Sequence, residues 1–544
     1  MKVFNSAPIK YEKINHGQIQ GFYAASRQNE ARWTIHSTSF LTRFFTFFYL
    51  GLIFCIAVVG AFARVAFADT NRPSHDTSVS MGAAKTAKSS SVFDFMTPAQ
   101  VKAVKTRSLA YDDTSAINAA IAVSPKRTLH FPAGTYVYDG GGVLSPGQVL
   151  SGDGRHATII EASTPSSVLF RVSGYGAGIE HMAFYAKVAQ TGGSYVVLSG
   201  PESFIRDFYM TGDFNGITMT GNVARIRHGR FQNGAPGATR IIASGGDNSQ
   251  LIDDVLMGAQ RPEVSKAGIE VTHSSALIIS DTSVIQQGVG LLVDPKGREN
   301  SVFSLTVHDC FFDTNKQHGI VIAPRAGANV VRTRFVNTWA SSSGSDGIVI
   351  DNPGAGMVSG IQFIALHAIN NQGSGLTTAG NVSDLTVIGG DMANNQFGIY
   401  INGRLNGLHV LGATIGEGAG VPGNHRAGIV LSKATVGIDV VGNDLRGNGE
   451  ALLDPSESDS KIIANNLGFN PLPNTTIALG RSPFTWRNST GGPVNVYIDG
   501  GQISALRIGN HRITPQPGLA VVLPPGGELS MVYAQPPTLS YAGF

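Results

Sequence analysis

Three aspartates, Asp254, Asp281 and Asp309, stand 27 and 28 residues apart. Each closes a short alternating segment: Leu251-Ile252-Asp253-Asp254, Ile278-Ile279-Ser280-Asp281 and Thr306-Val307-His308-Asp309. If these segments are strands of successive repeats, their carboxylates form a column with the roughly 4.8 Å spacing of hydrogen-bonded strands. Neighbours would then lie about 5 Å apart and the outer pair about 10 Å, against about 5–5.5 Å for retaining and about 6.5–9.5 Å for inverting glycosidases. Three carboxylates this close should spread in pKa and leave one protonated to act as an acid. Continuing the alignment puts Thr333, Ala365, Gly389 and Gly412 in the same column, so the acidic run stops after three coils. A structural alternative stays open, because Asp at a turn corner caps the backbone through its own side chain.

Basic residues flank the column. Lys296 and Arg298 follow Asp294-Pro295, and Arg332 and Arg334 lie on the next repeat. Their forks and ammonium groups would suit an acidic polysaccharide, although they would serve equally as solvated surface charge. His318, at a turn before Gly319, is a further candidate for substrate contact. His308 neighbours Asp309, so on a regular strand the two should face opposite ways, which reads as a core or surface histidine. No His/Cys cluster has zinc spacing, and no cofactor is expected; a calcium ion held by the Asp column is the alternative its hard oxygen ligands allow.

What must position these side chains is a ladder of Gly-Ile and Gly-Leu pairs beginning at Gly268, Gly290, Gly319, Gly347, Gly375, Gly398 and Gly428, with spacings of 22, 29, 28, 28, 23 and 30 residues. Between them lie segments such as Leu385-Thr386-Val387, Leu408-His409-Val410 and Ile438-Asp439-Val440, which have the period of half-buried strands. A unit holding only short strands and Gly/Asn turns cannot bury its own apolar face, so it must stack on copies of itself. The expected fold is all-β: a right-handed parallel β-helix with one coil per repeat. Helical repeats would need apolar residues at i, i+3, i+4 and i+7, and leucine-rich repeats a regular Leu signature, and neither is present. Composition agrees, with 67 Gly and only 14% charged residues in 544. A net charge of +3 gives no basis for nucleic-acid binding, and two cysteines, Cys55 and Cys310, make no disulfide framework.

In chain order, residues 1–43 are polar with scattered Lys and Arg and read as a cytoplasmic, disordered lead. Phe44 to Ala63 is an uncharged apolar run long enough to cross a bilayer, followed by Ala-Phe-Ala triplets that a signal peptidase could read. Residues 44–68 are thus a cleaved signal peptide or an uncleaved anchor touching the membrane through 44–63, and either exports the rest to the periplasm, the cell surface or the medium. Residues 69–91 read as a linker, 92–470 as the β-helix, and 471–544 as a small β module with short strands and Gly/Pro turns. Asp113-Thr114-Ser115 with Ile117 and Ile121 predicts an N-capped amphipathic helix covering the open sheet end. In the C-terminal module Trp486, Tyr497 and Tyr533 could form a sugar platform, but an aromatic core is the simpler reading. Capping and self-association are both open roles for that module.

The order Asp112-Asp113-Thr114, helix, Phe131-Pro-Ala-Gly-Thr-Tyr136, Gly152-Asp-Gly154 and Thr158-Ile-Ile160 resembles the opening of the pectate-lyase superfamily. It is most similar to the rhamnogalacturonase/epimerase-like branch related to glycoside hydrolase family 28. The resemblance, spanning about Val92 to Asn466, implies a pectin-lyase-like solenoid and sugar-polymer chemistry. Two departures stand out. The family-28 hydrolase pattern is present only as the fragments Asp253-Asp254 and His318-Gly319, and the Asp-Pro-His of alginate epimerases only as Asp294-Pro295-Lys296. The expectation is an exported enzyme cleaving or modifying an acidic polysaccharide, a hydrolase or lyase with epimerisation also open, with Asp281 and Asp309 as acid and base or nucleophile and Asp254 tuning them. The alternative is a non-catalytic envelope protein that binds or scaffolds glycan.

Overall fold

A computed structural model describes residues 90–124, 127–166, 168–245, 250–258, 265–418, 420–469 and 472–543. The expected lead and signal or anchor segment lie outside them, as does nearly all of the expected linker. Among the described residues no helix is long and apolar enough to cross a membrane.

Alternating Val, Ile and Leu segments with polar turns stack into a parallel β-solenoid of about 12 turns. Its strands pair in parallel, coil upon coil, and fall into three faces that we call sheets I, II and III in chain order within a coil. Sheet I carries one inward column: Ile205, Ile226, Ile252, Ile279, Val307, Phe335, Phe363, Val387 and Val410, each in register with the next. All of these side chains are fully buried. At about 25 cal/mol per Å² of apolar area, each rung contributes on the order of 2 kcal/mol, and only stacked neighbours can supply that burial.

The Gly-Ile ladder is the inward column of sheet III. Ile269, Leu291, Ile320, Ile348, Leu376, Ile399 and Ile429 pair in succession. Glycine precedes each because a Cβ there would meet tightly packed atoms of the interior corner, an asparagine Nδ2 among them at Gly290, Gly347, Gly375, Gly398 and Gly428. A Cβ at Gly347 would sit 2.8 Å from Asn371 Nδ2 and 2.6 Å from the Ala340 carbonyl. In that corner Asn371, Asn395, Asn424 and Asn448 form a ladder in which each Nδ2 donates to the next Oδ1 at 2.9–3.0 Å. The first three also donate to strand-end carbonyls of Ala340, Ala368 and Met392 at 2.9–3.1 Å, so buried polar groups at the turn are satisfied from within.

Two α-helices close the first coil. Helix α1 (Pro98–Lys105) begins with a capping box of Thr97 and Gln100, and α2 (Thr114–Val123) buries Ile117 and Ile121. Asp113 occupies the N-cap position of α2, but its side chain does not cap, contrary to expectation. It accepts from Val137 N at 3.1 Å, and Asp112 takes over the Thr114 amide at 2.9 Å. At the far end, two four-stranded antiparallel sheets form the small C-terminal module around Val494, Val496, Leu506, Leu523 and Leu529. The last solenoid strand, Lys461–Ala464, meets this module, with Ile463 N donating to Gly491 O at 2.9 Å. Trp486 and Tyr533 pack on the module core, whereas Tyr497 is exposed.

Candidate functional site

Sheet I ends in a sharp corner, and the residue at that corner has φ between 48° and 69° in coil after coil: His181, Asp207, His228, Asp254, Asp281, Asp309, Asn337, Ala365, Gly389, Gly412, Gly442 and Asn465. This left-handed conformation costs an ordinary L-residue about 1–2 kcal/mol, and Asp, Asn and Gly adopt it most readily. The backbone therefore already selects small polar residues here. Asp254, Asp281 and Asp309 do occupy adjacent rungs, but the coil after Asp309 supplies Asn337, since His308 pairs with Val336. Thr333 does not belong to the column. It lies fully buried just after a second left-handed corner, at Ser304 and Arg332, on the leading edge of sheet I. Two polar corners five residues apart look alike in sequence, which is why Thr333 imitates a member of the Asp column.

The column is a series of imidazole–carboxylate contacts. His181 Nδ1 lies 2.7 Å from Asp207, His228 Nδ1 2.6 Å from Asp254, and His308 Nδ1 2.9 Å from Asp309. The left-handed turn at Asp309 swings its side chain back toward His308, so these neighbours do not face opposite ways as a regular strand would require. Asn337 Nδ2 donates to Asp309 Oδ1 at 2.6 Å. That bond, followed by the one from His308, holds the Asp309 carboxyl below the usual carboxylate range. Asp309 is therefore not the group expected to retain a proton. Asp254, Asp281 and Asp309 all face solvent, one coil rise of about 4.8 Å apart.

Sheet I also carries cations on its outer face. Arg225 and Arg334 belong to one outward column, separated by Leu251, Ile278 and Thr306. Arg332 is exposed at the leading corner. Lys296 and Arg298 lie in the turn that leads from sheet III into sheet I, with Lys296 Nζ 3.4 Å from Asp294. His318 is elsewhere: it begins a strand of sheet III, half-buried and 3.7 Å from Asp346, with sheet II between it and the Asp column. Burial lowers its pKa and keeps it neutral. Among the described residues no group of three or more His, Cys, Asp or Glu side chains is placed to hold a metal ion.

Two features escaped sequence reasoning. The first is a cleft of about 330 Å³ on sheet I lined by Gly176, Glu202, Phe204, Arg206, Arg225 and Arg227. Here Arg206 is tied to Glu180 at 2.8 Å and lies over the Phe204 ring at 5.3 Å. The second is a stripe on sheet II two residues beyond the Asp corner: Leu256, Ser283, Phe311, Trp339 and His367 in register. Phe311 and Trp339 have ring centroids 6.2 Å apart, and Trp339 stacks on His367 at 5.2 Å. The spacing was the available signal, because 311, 339 and 367 repeat at the ladder's own interval of 28.

Fold and site together define a parallel β-solenoid with a polar, carboxylate-bearing sheet edge. Residues 109–310 match the family described as rhamnogalacturonase A/epimerase, pectate lyase-like, which agrees with the resemblance read from Asp112 to Ile160. Among solved structures, the Dettilon tailspike protein is 14% identical, covering 80% of this chain and 91% of its own, with a TM-score of 0.50. The A-module of the Azotobacter vinelandii mannuronan C-5 epimerase AlgE4 is 14% identical over 59% of this chain and 96% of that one, with a TM-score of 0.45. A GH87 α-1,3-glucanase from Streptomyces thermodiastaticus is 14% identical over 62% and 70%, with a TM-score of 0.43. At these identities the likeness is one of fold. No curated protein matches the chain.

Proposed function

We propose that this chain is an exported protein that binds an acidic polysaccharide along sheet I and cleaves it at the trailing corner. The observation that carries the proposal is the set of exposed carboxylates at Asp281 and Asp309, with Asp309 held ionised by Asn337 and His308. An arginine-lined cleft lies on the same sheet. Adjacent carboxylates one coil apart, about 4.8 Å, approach the separation used in double displacement. In that chemistry the Asp309 carboxylate attacks the anomeric carbon while Asp281, as the acid, gives its proton to the departing glycosidic oxygen. Water then releases the sugar from Asp309 and returns a proton to Asp281. Asp254 adds negative charge one coil away, and Arg225, Arg227, Arg332 and Arg334 bind the polymer's acidic groups, with Lys296 and Arg298 at the approach. The description of the family matched by residues 109–310, rhamnogalacturonase A/epimerase, pectate lyase-like, is in keeping with a glycan partner.

One observation favours a second reading, glycan binding without cleavage. Every residue of the column is left-handed, so Asp there has a backbone cause that needs no catalysis. Incubation with a panel of acidic and neutral polysaccharides separates the readings. New reducing ends alone mean hydrolysis, and reducing ends with ultraviolet absorbance of unsaturated uronates mean elimination. Binding with neither leaves the non-catalytic reading.

A further inference from the structure

The stripe on sheet II is interrupted at one rung. Leu256 and Phe311 project from the coils of Asp254 and Asp309 and are 40% and 50% exposed. Between them the coil of Asp281 offers only Ser283, in register with both. Phe311 packs against Trp339 on its far side, at 6.2 Å between centroids, which leaves its other side toward the Ser283 rung. The result is a slot one coil wide, floored by a hydroxyl, walled by an aliphatic side chain and an aromatic ring, and opening two residues from Asp281.

The walls stand two coil rises apart, about 9.6 Å. Carbon atoms in contact lie about 3.5–4.0 Å apart, so two stacked layers would need three such contacts, more than this span, and the slot takes one ring, a puckered one with axial substituents filling it better than a flat one. A pyranose fits this description. Its C–H face is apolar and weakly positive, and complements the negative π-face of an aromatic ring, while its edge hydroxyls can reach the Ser283 hydroxyl and the Asp281 carboxylate. A planar hydrophobe would gain nothing from that polar floor.

We propose that the Ser283 slot is a sugar subsite that holds one pyranose of the glycan chain against Phe311 and so sets which glycosidic bond lies at Asp281. This rests on the proposed glycan-cleaving function and adds to it where a single ring docks. Calorimetric titration of the full chain with a hexameric oligogalacturonate and with cellohexaose tests it. Ser283→Leu fills the slot and should weaken binding of the preferred oligosaccharide at least tenfold, while Ser283→Ala, which keeps the slot open and loses one neutral hydrogen bond, should weaken it only by roughly threefold. Phe311→Ala should weaken binding comparably and Phe311→Tyr should not. Ser283→Leu or Phe311→Ala binding as tightly as wild type overturns the slot, and so does a wild-type chain that binds neither oligosaccharide. A chain that binds through the slot yet cleaves nothing leaves the subsite standing and removes the catalytic reading alone.

Discussion

Asp309 shows how one backbone dihedral organises the site. Its φ of 55° brings its carboxylate to the His308 imidazole, and the next coil adds the Asn337 amide. Both bonds favour the ionised form, so Asp309 remains a carboxylate to lower pH than an ordinary aspartate. Asn337→Ala removes the larger cause and should raise that pKa. The acidic limb of the pH–activity profile then moves to higher pH, whereas activity near pH 7, where Asp309 is ionised either way, changes little; an unmoved limb would exclude Asp309 as the group reported. Arg225→Ala should weaken acidic polymers by roughly tenfold, the scale of one charge-assisted hydrogen bond, and leave neutral ones unchanged in the same titration. The spacing of the three aspartates was legible in sequence. Their partners were not: His308 depends on a left-handed φ, and Asn337 on a register that Thr333 imitates.

At the scale of the element, the Gly-Ile ladder and the asparagine ladder are two sides of one corner. Asn395 is fully buried and bonds to the coils before and after it. Asn395→Ala strands those partners and should cost about 2–3 kcal/mol in urea unfolding. The ladder starts earlier than the Gly pairs indicated, since Ile217 and Ile241 pair in the same column ahead of Ile269. Arg240 interrupts the glycines there. It is fully buried and donates to fully buried Asp213 at 2.6 Å. Arg240→Ala leaves that carboxylate uncompensated and should destabilise by about 3–5 kcal/mol, with the Asp213→Ala/Arg240→Ala double variant losing less than the sum of the two. Repetition made the strands and glycines readable, while a rung at which Arg replaces Gly carries no repeat signal.

For the whole molecule, the solenoid needs covered ends. Asp113, which ties α2 to Val137, has its pKa pushed up to about 6, chiefly by burial. A raised carboxyl pKa means the native state holds its proton longer than the unfolded chain does. Its stabilising contribution is therefore complete below about pH 4 and lost as pH rises through 6, amounting to about 3 kcal/mol. Thermal unfolding should show this gain from pH 6.5 down to 4, and Asp113→Asn should flatten it. The parallel solenoid and a small β module at its end followed from strand period and turn composition, whereas the antiparallel pairing within that module did not. The arginine cleft and sheet II stripe arise only when coils are set in register, which spacing suggests but does not assign. Glycan cleavage by this chain is proposed to depend on Asp281 and Asp309. The direct test measures reducing ends released by wild type, Asp281→Asn and Asp309→Asn from the polysaccharide that wild type binds. Each variant should lose at least a thousandfold in activity with binding retained; either variant at full activity would rule out these two carboxylates as the cleaving pair.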